Sequence, residues 1–202
     1  GNKFLGNIRE VDAVVHVVRC FENNDIVHVE GSVDPIRDVE TINLELILSD
    51  LEIVERAIDR TTKAARADKK LLEKLEVLER VKVALEAGKC ARTVELSEEE
   101  MAWIDESRLL TLKPTIYAAN ISEDEVNGDY VNSPHYQALK AHADSEGSEI
   151  IAVSAQIEAE LAVLDGDEKE MFLADLGIEE SGLDKLIKSH KHTSATRKIY
   201  SG

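Results

Sequence analysis

No G-x-x-x-x-G-K-[ST] run, the loop that cradles nucleotide phosphates, occurs anywhere in the 202 residues. The chain alone is therefore expected not to hydrolyse a nucleotide, since phosphoryl transfer depends on that loop and its Lys. No apolar run approaches the length that crosses a bilayer, and the opening Gly1-Asn2-Lys3 leads into no apolar signal segment. No membrane partner and a cytoplasmic location are the expectations. Cysteine is scarce. Cys20 and Cys90 lie in neither a C-x-x-C nor a zinc-like spacing, so free thiols are expected and no metal site. Positive charge is also short, with 24 Lys and Arg against 41 Asp and Glu and a net charge of −17. That balance argues against the whole chain acting as a non-specific polyanion binder. Internal repeats and low-complexity tracts are absent.

What is present is a globular composition, 43% hydrophobic, long enough for one core or one core plus an insertion. Val11 to Arg19 is β-branched and almost continuously apolar, the pattern of a strand buried on both faces of a parallel sheet. Residues 21–34 are polar and turn-rich. Asp34-Pro35 then fits a helix start, with Asp as cap and Pro at the first helical position. Leu44, Ile47, Leu51, Val54, Ile58, Thr61 and Ala65 recur at spacings of three and four, an apolar seam along a helix. Ala64 to Lys70 is polar and predicts a reversal. A second seam follows at Leu71, Leu75, Leu78, Val81 and Leu85, with Gly88 placed to end it. Two such helices predict an antiparallel hairpin, and one continuous helix is the alternative.

Ser97 and Glu100 have capping-box spacing ahead of Trp103 and Ile104. Further strands are predicted at Pro114 to Ala119 and Glu149 to Val153. Helices are predicted at His135 to Ser145, Ile157 to Leu164, Glu168 to Leu176 and Gly182 to Lys188. Strands alternating with helices imply an α/β fold with a parallel sheet. The expected organisation is a sheet portion over 1–37, an inserted hairpin and connector over 38–112, and a second sheet portion over 113–202.

The segment Lys113 to Asp124 carries the chemistry. An apolar run ends in Asn120-Ile121-Ser122-Glu123, at the strand end where α/β folds place their ligands. Asn offers an amide, and a carboxylate accepts hydrogen bonds from the edge of a base. The ordinary alternative is a polar loop after a strand. Ser154-Ala155 ends the third strand in the same way, and alone it reads as a plain strand end. His16, inside an apolar strand, reads as a packed core residue. His190 and His192 lack a carboxylate partner, and a solvated tail outweighs metal binding there. Lys63, Arg66, Lys69, Lys70 and Lys74 cluster near the predicted hairpin tip. They are either a wetted face or a docking surface for RNA or a protein partner.

Together these residues resemble the YchF-type, Obg-related P-loop NTPases. Gly1 to Arg9 looks like the end of that family's second switch region, and Val11 to Phe21 looks like the strand after it. Val33 to Leu46 resembles the entry to its coiled-coil insertion. Asn120-Ile121-Ser122-Glu123 falls at its Asn-x-x-Glu base-reading motif, and Ser154-Ala155 at its Ser-Ala motif. Glu158 to Leu161 and Gly182 to Ile187 also fit. The resemblance runs from Gly1 to about Lys188 and implies a partial G-domain with an inserted antiparallel helical hairpin. It also implies a purine nucleotide ligand, ATP preferred over GTP with Mg2+ in the full-length parent, and the ribosome or translation machinery as partner. Asn120 and Glu123 are then expected to read adenine, Ile121 to pack on it, and Ser154 with Ala155 to close the site, with no catalytic residue. Related GTPases carry Asn-Lys-x-Asp here, so the longer Glu123 and the apolar Ile121 support the adenine preference. The family's phosphate loop, first switch and carboxyl-terminal TGS domain have no counterpart in these residues. Without the strand that leads into the phosphate loop, Val11 to Arg19 is expected to lie at an open sheet edge.

Overall fold

A computed structural model describes residues 13–22, 32–105, 108–189 and 197–201. The chain divides into two compact units, with boundaries at 39/40 and 114/115.

The sheet unit holds β1 (Ala13–Arg19), β2 (Thr115–Asn120), β3 (Glu149–Val153) and β4 (Arg197–Ser201). They form one sheet in the order β3-β2-β1-β4, parallel at every pairing. Alternation along each strand sorts the side chains onto two faces. Ala13, Val15, Ile116 and Ala118 pack on one face against Leu186 of the helix Gly182–Ser189. Val18, Tyr117 and Ala119 pack on the other, against Val39 and against Leu139 and Ala143 of the helix Pro134–Glu146. Both faces are covered, as the near-continuous apolar run at β1 demands.

β4 corrects two expectations. The sequence signals end at Lys188, yet Arg197 to Ser201 pairs with β1 in the register Ala13↔Arg197 to Val17↔Ser201. β1 therefore lies inside the sheet and is not an open edge. The strand escapes notice because Ile199 and Tyr200 are its only apolar residues, too few for a period-2 signal.

The helical unit is built on α1 (Pro35–Ala64), which begins in the sheet unit, and α2 (Leu71–Glu86). Asp34 Oδ1 accepts the Arg37 N–H at 3.1 Å and caps the start of α1. The chain turns over residues 65–70, so the structure has the hairpin and not one long helix. Gly88, at φ 77°, supplies the left-handed residue that follows α2. Ile47, Val54 and Ala57 of α1 meet Val77, Leu78, Val81 and Leu85 of α2. Leu44, predicted at the seam, is 53% exposed instead. A helix turning at 3.6 residues drifts off a strict heptad, and at this end Leu46 is buried beside the predicted Ile47. α3 (Glu98–Asp105) starts with the predicted capping box. The Glu100 N–H donates to Ser97 Oγ at 3.1 Å, and the Ser97 N–H donates to Glu100 Oε1 at 3.0 Å.

In the sheet unit α4 is Pro134–Glu146, α5 Ala155–Leu161, α6 Gly166–Leu176 and α7 Gly182–Ser189. Between β2 and α4 the chain makes 3-10 turns at Glu123–Glu125 and Asp129–Asn132. Among the described residues no helix is long and apolar enough to cross a membrane. None of their His, Cys, Asp and Glu side chains are grouped to hold a metal ion. The segment Gly1 to Arg9, His190 and His192 lie outside the described residues.

Candidate nucleotide-base site

Asn120 is the last residue of β2. Its carbonyl accepts the Cys20 N–H at 2.8 Å, and the following Ile121 N–H donates to the Val153 carbonyl at 2.8 Å. The ends of β1, β2 and β3 are therefore held level at one edge of the sheet. At that edge Asn120 Oδ1 accepts the Ala155 N–H at 3.1 Å. The contact joins the two tetrapeptide signals across a separation of 35 residues. With its oxygen engaged, Asn120 has its two amide N–H donors left for other partners.

Ser154 is 3% exposed. It caps α5, its Oγ accepting the Ile157 N–H at 3.3 Å and its carbonyl the Glu158 N–H at 2.9 Å. The helix starts at Ala155, two residues earlier than the apolar pattern predicts. Ala155, the first helical residue, is exposed. Ser122 caps the 3-10 turn after β2, its Oγ accepting the Asp124 N–H at 3.4 Å. That turn carries Glu123 out to solvent. Ile121, 3% exposed, packs into the apolar cluster with Tyr117, Leu139 and Val126. It also lines a cavity of about 300 Å³, whose lining includes Ser154 but not Asn120, Glu123 or Ala155. Ser154, Val126 and Ile157 share the lining.

The structure thus brings Asn120, Ser154 and Ala155 together, with Glu123 on the adjoining turn and Ile121 beneath. Glu158 and Gly182, to which the sequence assigned no role, are among the other residues lining the cavity. Gly182 N–H donates to Glu158 Oε1 at 2.8 Å. Burial raises the Glu158 carboxyl above the usual range, while bonds from Gly182 and Leu183 and the charge of Lys169 oppose the rise. The available signal was a carboxylate one turn after Ser154 and a Gly opening a helix.

In the helical unit Lys63, Arg66, Lys69 and Lys70 are exposed at the hairpin turn, and Lys74 is half-buried on α2. The Cys20 thiol is unsuited to chemistry: it is buried, and that burial pushes it up to about 12, with Asp38 adding to the rise.

Comparisons with known proteins follow the same residues. No family model matches the chain. The ribosome-binding ATPase YchF of Bacillus subtilis is 51% identical over 190 residues, covering 94% of this chain and 52% of that protein. The ribosome-binding ATPase YchF of Haemophilus influenzae is 49% identical over 190 residues, 94% of this chain and 51% of that protein. Among solved structures the Schizosaccharomyces pombe YchF GTPase superposes with a TM-score of 0.79 at 33% identity. That match covers 95% of this chain and 52% of the yeast chain. The chain spans about half the length of the curated relatives it matches.

Proposed function

We propose that this chain, a relative of the YchF proteins over nearly its whole length, is the base-recognising part of an ATP-binding, ribosome-associated NTPase. The observation that carries the reading is the Asn120 Oδ1 bond to the Ala155 N–H at 3.1 Å. It sets an amide donor at the sheet edge, where parallel α/β folds place ligands. Asn120 donates to a ring nitrogen of the purine. The Glu123 carboxylate accepts from the exocyclic amine. Ile121 lies beneath the base as an apolar floor, and Ser154 with Ala155 closes the opposite side.

Adenine is preferred over guanine for two reasons. Glu123 is a methylene longer than the aspartate of guanine readers, so its carboxylate is displaced from the paired donors of guanine. The Ala155 N–H is already accepted by Asn120, which leaves one donor fewer for a 6-oxo group. A site loses strongly against a ligand whose polar groups it leaves unpaired. Magnesium and the β–γ bond are handled by residues of a longer parent protein.

The test is Asn120→Ala. It removes both the base contact and the tie to Ala155, and ATP affinity should fall by at least about tenfold, one buried hydrogen-bonding group's worth. Unchanged affinity in a variant that melts like the parent chain would remove Asn120 from the site.

A second reading rests on the exposed Lys63, Arg66, Lys69 and Lys70. In it the hairpin tip docks on the ribosome or a protein partner without nucleotide.

A further inference from the structure

The Ser154–Ala155 turn is gripped from behind by a segment that the base-reading function leaves unexplained. The Gly182 N–H donates to Glu158 Oε1 at 2.8 Å, and the Leu183 N–H bonds the same carboxylate. Glu158 lies on the first turn of α5, whose first residue is Ala155 and whose cap is Ser154. Gly182 is also pressed against the residue before that cap. A Cβ built on it would lie 2.3 Å from Val153 Cγ1 and 3.1 Å from Val153 Cα. The start of α7 therefore touches Val153 by close approach and Glu158 by hydrogen bond, on either side of Ser154 and Ala155. The approach needs glycine for space, because Gly182 is not among the positive-φ residues. α7 is itself fixed. Ser181 Oγ accepts the Asp184 N–H at 3.0 Å, and Leu186 is 3% exposed under the sheet.

We propose that Glu158 and Gly182 form a latch between α5 and α7 that positions the Ser154–Ala155 turn for the nucleotide base. Glu158 is a positioning residue in this account. It acts on the base through Ala155, whose N–H in turn orients Asn120. The inference rests on the base-reading function proposed above. It adds that nucleotide affinity depends on a carboxyl-side helix that contributes no contact to the base.

The experiment measures ATP affinity, with magnesium present, for the 202-residue chain and for E158Q, E158A and G182A, with a thermal melt of each. Glutamine keeps a side-chain oxygen that accepts from the Gly182 N–H, and alanine has none. E158Q should bind within about twofold of the unsubstituted chain, while E158A should weaken about tenfold at a temperature where it is still fully folded. G182A keeps the carboxylate but displaces α7, and it should weaken in the same sense. A purely structural role would lower the melting temperature and leave the affinity of the folded protein unchanged. That result overturns the latch. E158Q falling as far as E158A also overturns it, because charge and not the shared hydrogen bond would then be the cause. If E158A does not fold, G182A against E158Q decides in the same way. Absence of ATP binding by the unsubstituted chain defeats the base-reading function and the latch with it. Binding by that chain together with unaffected variants defeats the latch alone.

Discussion

His16 is 2% exposed on the face of β1 turned to Tyr117, with the two rings 5.9 Å apart. Its Nε2 has no hydrogen-bond partner among the described residues. Burial holds it neutral and lowers it from 6.5 to about 4, the charge of Glu146 opposing and that of His142 assisting. The unfolded chain binds a proton on this ring at a pH where the folded chain does not. Stability from this group is therefore fully present above about 6.5 and is lost as pH falls toward about 4, to a total of about 3 kcal/mol. Urea unfolding across that window should show the loss, and His16→Phe should flatten it. An unchanged slope in the variant would assign the acid sensitivity elsewhere. The same residue shows what sequence conveys at this scale. An apolar run around His16 announces a buried side chain. The Tyr117, His142 and Glu146 that set its chemistry come from a neighbouring strand and from α4, at separations no local pattern reports. Asn120 and Ala155 were legible one at a time as strand ends, and their hydrogen bond exists only once β2 and β3 are level.

Among the elements, the hairpin was the most legible, because its seams, its turn and its terminal Gly are all local signals. The connector that closes its base was not. Asp50 of α1 is completely buried. It accepts the Leu110 N–H at 2.9 Å, the Thr111 N–H at 2.8 Å and the Thr111 hydroxyl at 2.7 Å. Thr111 Oγ1 in turn accepts the Ala91 N–H at 2.8 Å. A charged residue on a helix reads as solvated until the segment 61 residues away wraps onto it. Asp50→Ala leaves several buried donors without an acceptor and should destabilise the protein by about 3 kcal/mol or more, since each orphaned group costs about 1–3. Denaturant titration measures this, and a loss below 1 kcal/mol would mean that water replaces the carboxylate. At the other end of the hairpin, joint alanine substitution of Lys63, Arg66, Lys69 and Lys70 should leave ATP affinity unchanged. Under the docking reading it should abolish ribosome co-sedimentation. Retained co-sedimentation would remove the tip from any interface.

For the whole molecule, the division into a sheet unit and a helical unit separates the residues of the two proposed roles. Every candidate base-reading residue lies in the sheet unit and every tip cation in the helical unit. The strand–helix alternation conveyed the parallel sheet, whereas β4 depends on a pairing partner some 180 residues earlier, at Ala13 to Val17. The relatives carry the words ATPase, GTPase and ribosome-binding in their names, and this chain matches about half of each. The central claim is that the Asn120 to Glu123 edge holds a purine base and favours adenine. Calorimetric titration of the unsubstituted chain with ATP and with GTP, magnesium present, tests it most directly. The account predicts saturable binding with ATP the tighter ligand. Equal or tighter binding of GTP, or no heat with either nucleotide, would contradict it.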